Sequence, residues 1–492
     1  MAAAMTDSRM ERNEAIVLAA ILLVAAVLRV VSLNSGLWYD EVVTLVQSVR
    51  LAPAELLVTY GSLNNHVLYT WLAKGCVALF GEEPWALRLP AMLFGVASIA
   101  ASWALVREAG FRWAALATAA LLAVSFHHVW FSQNARGYTG LMLFTTLGGL
   151  ALHRALTKDR VAHWVLYAGC FAAAMLIHLS AVFLLAAQGL TALGAGALRL
   201  KAEGVAGALR WLRGPLIGFG LGGAIVAAAF LPMLPGMTEA FSRVAGESAV
   251  EGVAAWKNPI WTIAESIRSF GVIAWAAPIA LVFAAVGVWR MWRAAPFITA
   301  PFVLHIPLTL AVLDFVSMRV WPRYFFVDIG FLFAAVVIGA FVVAEFFAAR
   351  LATQRRFGFG ATALQAIGAA SMIAVSAPLL SANYARPKQD FEGARSFVER
   401  QRADGDRVMT LGIASAYFND YLGLDWPQPR SGEELRRAAE LGRVWVVVAF
   451  PAHTRAYFGS EQAMLDRHFT LVKRFRGSLS GGDVLVFRAG AA

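Results

Sequence analysis

Apolar residues in this chain come in long blocks, and between positions 15 and 380 eleven of them approach the length a helix needs to cross a bilayer. That length is roughly 17–25 residues at about 1.5 Å rise each. The blocks cover 15–33, 88–106, 113–131, 138–154, 163–178, 179–198, 215–234, 273–289, 297–313, 322–346 and 360–380, with the faintest break at His178. Two shorter stretches, 41–51 and 66–80, are amphipathic and predict helices lying along the membrane surface. From about residue 385 the pattern changes to that of a soluble domain. There 391–402 predicts helix, 407–411 a strand, 444–450 a buried strand, and 470–475 and 483–487 two more. The expected fold is mainly α: a polytopic transmembrane helical bundle over 1–384, with outer loops 34–87 and 235–272, then a small C-terminal α/β domain over 385–492. No internal repeat is visible, which weighs against a transporter assembled from paired halves.

Charge orients this bundle. With a cytoplasmic N-terminus, the basic residues of the short loops all fall on one side: Arg107 and Arg112; Arg154, Lys158 and Arg160; Arg199, Lys201, Arg210 and Arg213; Arg290 and Arg293; Arg350, Arg355 and Arg356. That is the positive-inside pattern. An odd number of spans then carries the 34–87 loop and the C-terminal domain to the outer face of a plasma (inner) membrane. Composition agrees with a membrane class, since 59% of residues are hydrophobic and 15% charged, against about 25% charged in soluble domains. The net charge of +11 is scattered among loops, without a basic stripe interleaved with aromatics, so nucleic acid is not an expected partner. Cys76 and Cys170 lie in apolar surroundings and predict neither a disulfide framework nor a thiolate metal site. Residues 1–14 lack a signal-peptide cleavage site, so the first block reads as a retained anchor.

Candidate chemistry gathers at the predicted outer ends of the helices. Trp38-Tyr39-Asp40-Glu41 follows the first block, with an aromatic pair suited to the interface and two carboxylates emerging into water. Acidic residues also favour the first turn of a helix for its dipole, so spacing alone leaves Asp40 and Glu41 open between catalysis and capping. Arg88, Arg136 and Arg323 sit on the outer side at helix starts, where both the dipole and the positive-inside bias disfavour cations. A compensating anion, held as phosphate at helix N-termini, answers that conflict; snorkelling to lipid head groups is the alternative. His66 either opens an interfacial helix or meets substrate. His127 and His128 are explained by interfacial solvation, His178 and His305 as core histidines, and Asp328 by pairing with Arg323. No zinc spacing or Gly-rich phosphate loop is present. No cofactor is expected, and a divalent metal on Asp40 and a neighbour has no support from spacing.

Four motifs in order carry a resemblance. Trp38-Tyr39-Asp40-Glu41, Asn65-His66-Val67-Leu68-Tyr69 with Trp85-Ala86-Leu87-Arg88-Leu89-Pro90, Ser132-Gln133-Asn134-Ala135-Arg136-Gly137-Tyr138, and Pro322-Arg323-Tyr324 resemble motifs of GT-C glycosyltransferases. The likeness is to bacterial relatives of protein O-mannosyltransferases and aminoarabinose transferases, and it spans about residues 15–380. It implies transfer of a monosaccharide from a polyprenyl-phosphate carrier to an acceptor hydroxyl of protein, lipid or glycan, with Asp40 as the catalytic base and Glu41 as a second catalytic residue that orients Asp40 or the acceptor. Arg136, Arg323, Tyr324 and Arg88 are then the expected donor-phosphate ligands, with His66 and Tyr138 at the substrate. The chain departs from the pattern in reading His66-Val67-Leu68 where relatives have His-Pro-Pro, and in carrying Asn134 in place of an acid. Rival classes are a lipid-linked-sugar flippase and a non-catalytic envelope assembly protein.

Overall fold

The computed structural model describes residues 2–62, 65–247, 258, 277–316, 318–353, 360–479 and 481–490. Of the predicted loop 235–272, only the part to Glu247 and Asn258 fall within it; Asn64 and the first residues of the 273–289 block lie outside the described residues. Each of the eleven apolar blocks is mainly helical where described, and the chain is a polytopic membrane protein. Among the described residues seven helices are long and apolar enough to cross a membrane, or eight if a bent pair counts as one span. The remaining three blocks have clear counterparts. Tyr138–Lys158 is a 21-residue buried helix, Val161–Ile177 has 17 residues, and the continuous stretch Ala181–Ser242 contains two predicted spans. Those two meet near Gly204, whose φ of 69° breaks the helix geometry in Ala181–Pro215.

The bent pair shapes the site. Arg112–Val124 and Phe126–Ser132 meet at 62° across Ser125. A break of this kind orphans the last carbonyls of the first piece. Fully buried Arg29, from helix Ala2–Val30, answers them by donating to the carbonyls of Leu122 and Ala123 at 3.3 and 3.2 Å. It also donates to Ser132 Oγ at 3.0 Å and meets His128 Nδ1 at 2.7 Å. His128 is therefore a buried member of this network, also bonded to Ser98, rather than a solvated interfacial residue. Further along the bundle, helices Ala277–Ala294 and Ile329–Thr353 approach backbone to backbone. A Cβ at Gly287 would stand 1.8 Å from the Ala335 carbonyl, and one at Gly339 1.8 Å from that of Phe283. Small residues permit that approach where lipid supplies no hydrophobic drive between helices.

The 322–346 block opens differently from its expectation. Pro322–Asp328 is a 3-10 turn, and the α-helix starts at Ile329. Five residues apart, Arg323 and Asp328 stand about 120° from each other around a three-residue turn and so lie on different faces. Asp328 pairs instead with His305, 2.9 Å away, which corrects the expected Arg323 pairing.

In the C-terminal region the strands fall close to their predicted positions: β1 Arg407–Leu411, β2 Val444–Ala449, β3 Thr470–Phe475 and β4 Val484–Ala489. They form one mixed sheet in the order β1-β2-β4-β3, with β1 parallel to β2 and the other pairs antiparallel. Every residue of β2 is buried, as a central strand covered on both faces requires. Helix Phe391–Gln401 contributes Phe391 and Val398 to one core, and helices Gly432–Leu441 and Gly459–His468 close the other face through Leu435 and Leu465.

Candidate functional site

The loop after the first helix turns back on itself around one buried ion pair. Helix Tyr39–Thr44 starts at Trp38, whose side chain offers no oxygen to cap it. Glu41 takes over part of that task, its Oε2 accepting from the Trp38 amide at 3.2 Å. The same carboxylate accepts from Arg88 Nε at 2.7 Å and from Arg88 Nη2 at 2.6 Å. Both side chains are fully buried. Arg88 spends its remaining donors on the carbonyls of Leu33, Ser35 and Gly36, at 2.7, 2.6 and 3.0 Å. All five guanidinium N–H groups are thereby used. Glu41 Oε1 also accepts from the Ala135 amide at 2.8 Å, which ties the 133–137 segment to the first loop. Burial works to raise the Glu41 pKa, but the charges of Arg88 and Lys388 and the hydrogen bonds outweigh it and hold the carboxyl below its usual range.

Every Arg88 N–H is thus engaged by a protein acceptor, and both Glu41 oxygens are occupied under the loop beside Asp40.

Asp40, one residue earlier, faces a different side. Its side chain keeps 16% of its exposure, and its Oδ2 lies 4.0 Å from Arg323 Nη1. Arg323 packs over the Trp321 ring at 5.2 Å, and its buried Nε has no hydrogen-bond partner among the described residues. Tyr138 and Tyr324 lie within electrostatic range of the same guanidinium. Arg136 reaches the turn from the other side, donating to Thr44 Oγ1 at 3.4 Å while Thr44 donates to the Asp40 carbonyl at 2.9 Å. Trp38 Nε1 donates to Asn134 Oδ1 at 3.0 Å, so the amide that replaces an acid here orients the motif's tryptophan.

His66 completes the cluster. Its ring meets Tyr138 edge-on at 5.1 Å and His178 at 4.8 Å. Gly137 makes this packing possible, since a Cβ there would stand 2.9 Å from His66 Nδ1 and 2.7 Å from Ile177 Cγ2. His66 Nδ1 lies 3.0 Å from the Ile177 carbonyl, an acceptor only, so Nδ1 carries the hydrogen. Burial, then the charges of Arg136 and His178, push the imidazole well below its usual pKa and keep it neutral. Its Nε2, buried and without a partner among the described residues, is therefore a hydrogen-bond acceptor. Asp40, Arg136, Arg323, Tyr138, Tyr324 and His66 thus come together at one end of the bundle. Lys388 and Gln389, which reach the same turn from the C-terminal side, carry no sequence signal that finds them. Among the described residues no group of three His, Cys, Asp or Glu side chains is arranged to hold a metal.

The helical bundle thus gathers carboxylate, arginines and aromatics at one end, with a small mixed sheet seated there. Comparison with solved structures gives the same fold. ArnT from Cupriavidus metallidurans bound to undecaprenyl phosphate superposes with a TM-score of 0.53 at 16% identity, covering 97% of this chain and 99% of that one. The archaeal oligosaccharyltransferase AglB from Archaeoglobus fulgidus, in complex with an inhibitory peptide and a dolichol-phosphate, gives 0.53 at 12% identity over 95% and 74%. The apo form of the Archaeoglobus fulgidus oligosaccharyltransferase gives 0.56 at 11% over 93% and 72%. The family model described as dolichyl-phosphate-mannose-protein mannosyltransferase matches residues 64–212. No curated protein matches the chain. The resemblance to GT-C enzymes read from four short motifs thus extends to the whole fold.

Proposed function

We propose that the chain is a membrane glycosyltransferase that moves a monosaccharide from a polyprenyl-phosphate carrier to an acceptor hydroxyl at the outer face. The observation that carries this reading is the partly exposed Asp40 carboxylate, 4.0 Å from an arginine whose Nε is unspent. A hydroxyl is poorly nucleophilic at neutral pH. Asp40 takes its proton as the oxygen attacks the anomeric carbon. The bond from that carbon to the lipid phosphate breaks, and the phosphate departs as an anion stabilised by Arg136 and Arg323. A phosphate leaving group needs no general acid, so one carboxylate suffices. Tyr324 and Tyr138 line the donor beside Arg323, and the His66 Nε2 lone pair suits a sugar hydroxyl rather than the phosphate. Polyprenyl phosphates bound to ArnT and AglB, proteins of the same fold, support the donor class.

The test is a comparison of arginine variants in detergent. Arg136→Ala and Arg323→Ala each remove a charge-assisted hydrogen bond, of the class worth about 1.5–3 kcal/mol, so initial rates should fall roughly 10- to 100-fold. Lys keeps charge but loses the two-pronged geometry, and its loss should be smaller. Because leaving-group charge grows toward the transition state, kcat should fall more than donor affinity. Wild-type specific activity in both Ala variants would sink the phosphate assignment.

Orientation follows the same proposal: a cytoplasmic N-terminus, with the first loop and C-terminal domain outside. In a background lacking Cys76 and Cys170, cysteines at Gly61 and Ser460 should react with a membrane-impermeant thiol reagent applied to intact cells. Cysteines at Asp159 and Thr353 should stay protected. Protection at Ser460 with labelling at Asp159 would reverse the topology.

A further inference from the structure

We infer that the segment joining the bundle to the C-terminal domain is a working part of the transfer site, with Gln389 and Lys388 as positioning residues for Asp40. This rests on the proposed reaction for its kinetic consequence, and on geometry alone for its structural one.

The first amides of a helix have no intrahelical acceptor; a side chain at the preceding residue normally serves the second or third of them, and the first must find a partner elsewhere. Helix Tyr39–Thr44, which carries Asp40, has a tryptophan in that place. Glu41 serves the Trp38 amide, and the next one, Tyr39 N–H, donates to Gln389 Oε1 at 2.9 Å from 350 residues away. The C-terminal domain therefore supplies the capping acceptor beside the reacting carboxylate. Gln389 is itself fixed, its Nε2 donating to the Gly482 carbonyl at 3.2 Å.

Lys388 ties down the second loop. Its Nζ donates to the Gln133 carbonyl, lies 3.9 Å from Glu41 and sits over the Trp130 ring at 5.3 Å. Only 8% of Lys388 is exposed. A buried ammonium is costly unless partnered, so a side chain that only tethered the domain would sit more cheaply in water. Asn383 adds a bond to Gln133 Oε1 at 2.8 Å. The hairpin between β3 and β4 then presses on the joining segment. Ser478 and Leu479 amides donate to the Pro387 and Lys388 carbonyls at 2.8 and 3.2 Å, and a Cβ at Gly477 would stand 2.1 Å from the Lys388 carbonyl. One short segment thus fixes the turn bearing Asp40 and the loop bearing Arg136 relative to each other.

The experiment compares full-length Gln389→Leu, which removes both the acceptor for Tyr39 and the donor to Gly482 at similar size, with Gln389→Glu, which keeps the acceptor and removes only that donor. Gln389→Leu should lower kcat roughly 10- to 100-fold, the range that small misplacement of a reacting group costs, with donor and acceptor KM within about twofold. Gln389→Glu should restore kcat to within about threefold of wild type. Amide exchange of the peptide covering 37–44 should be roughly fivefold or more faster in Gln389→Leu and not in Gln389→Glu. A rise in acceptor KM at unchanged kcat would overturn the inference in favour of an acceptor-binding role. Equal loss in both variants would overturn it in favour of packing. Unchanged exchange in Gln389→Leu would overturn the capping geometry outright. Absence of any sugar transfer by the wild-type chain, with the exchange difference present, would instead count against the proposed function and leave the capping role standing.

Discussion

Purified Asp40→Asn protein should bind the polyprenyl-phosphate sugar and fail to transfer it. The amide matches the carboxylate in size, and the bond from Thr44 reaches the Asp40 backbone carbonyl, so it survives the change. What disappears is the base. Positioned general bases contribute about 10²- to 10⁴-fold, and kcat should fall by that order. Melting temperature in detergent and donor affinity should stay near wild type, because the Arg323 contact is long, at 4.0 Å, and partly exposed. Initial rates and donor binding measured on the same preparation decide the matter. Turnover within a fewfold of wild type would remove Asp40 from the mechanism.

The second large effect is on stability and falls on the neighbouring residue's partner. Arg88→Met and Glu41→Leu each leave a fully buried charge without its counterpart. Breaking a buried pair from one side costs about 3–5 kcal/mol, whereas replacing both members by apolar residues is often tolerated. The single variants should therefore express poorly and melt well below wild type, and Arg88→Met/Glu41→Leu together should recover part of the loss. The coupling is read from a double-mutant cycle on denaturation in detergent. Additive losses would mean that the pair does not act as a unit. Arg323→Ala supplies the contrast: a change of rate with little change of melting.

Identical residue types at similar places in the pattern thus separate into different roles. Arg88, Arg136 and Arg323 all precede or open helices at one end of the bundle, and the same conflict with dipole and charge bias marks all three. The sequence detects that conflict and cannot say how it is resolved. For Arg88 the resolving anion is Glu41, 47 residues away, together with three backbone carbonyls. For Arg323 it is the looser contact with Asp40. Asp328 shows the same limit, because its partner is His305, 23 residues away, rather than Arg323.

Hydropathy and periodicity by themselves determined the helical blocks, the change of character near residue 385 and the four strands to within two residues. Each of these depends on neighbours within a turn or a strand of one another, where spacing alone decides which side chains share a face. The tertiary structure decided which polar groups meet. It spent Arg88 on Glu41, set the tautomer of His66 through the Ile177 carbonyl, and brought Gln389 to the amide of Tyr39. Those pairings join segments up to several hundred residues apart, and a buried polar group takes whichever partner the packing of the whole chain brings within about 3 Å of it.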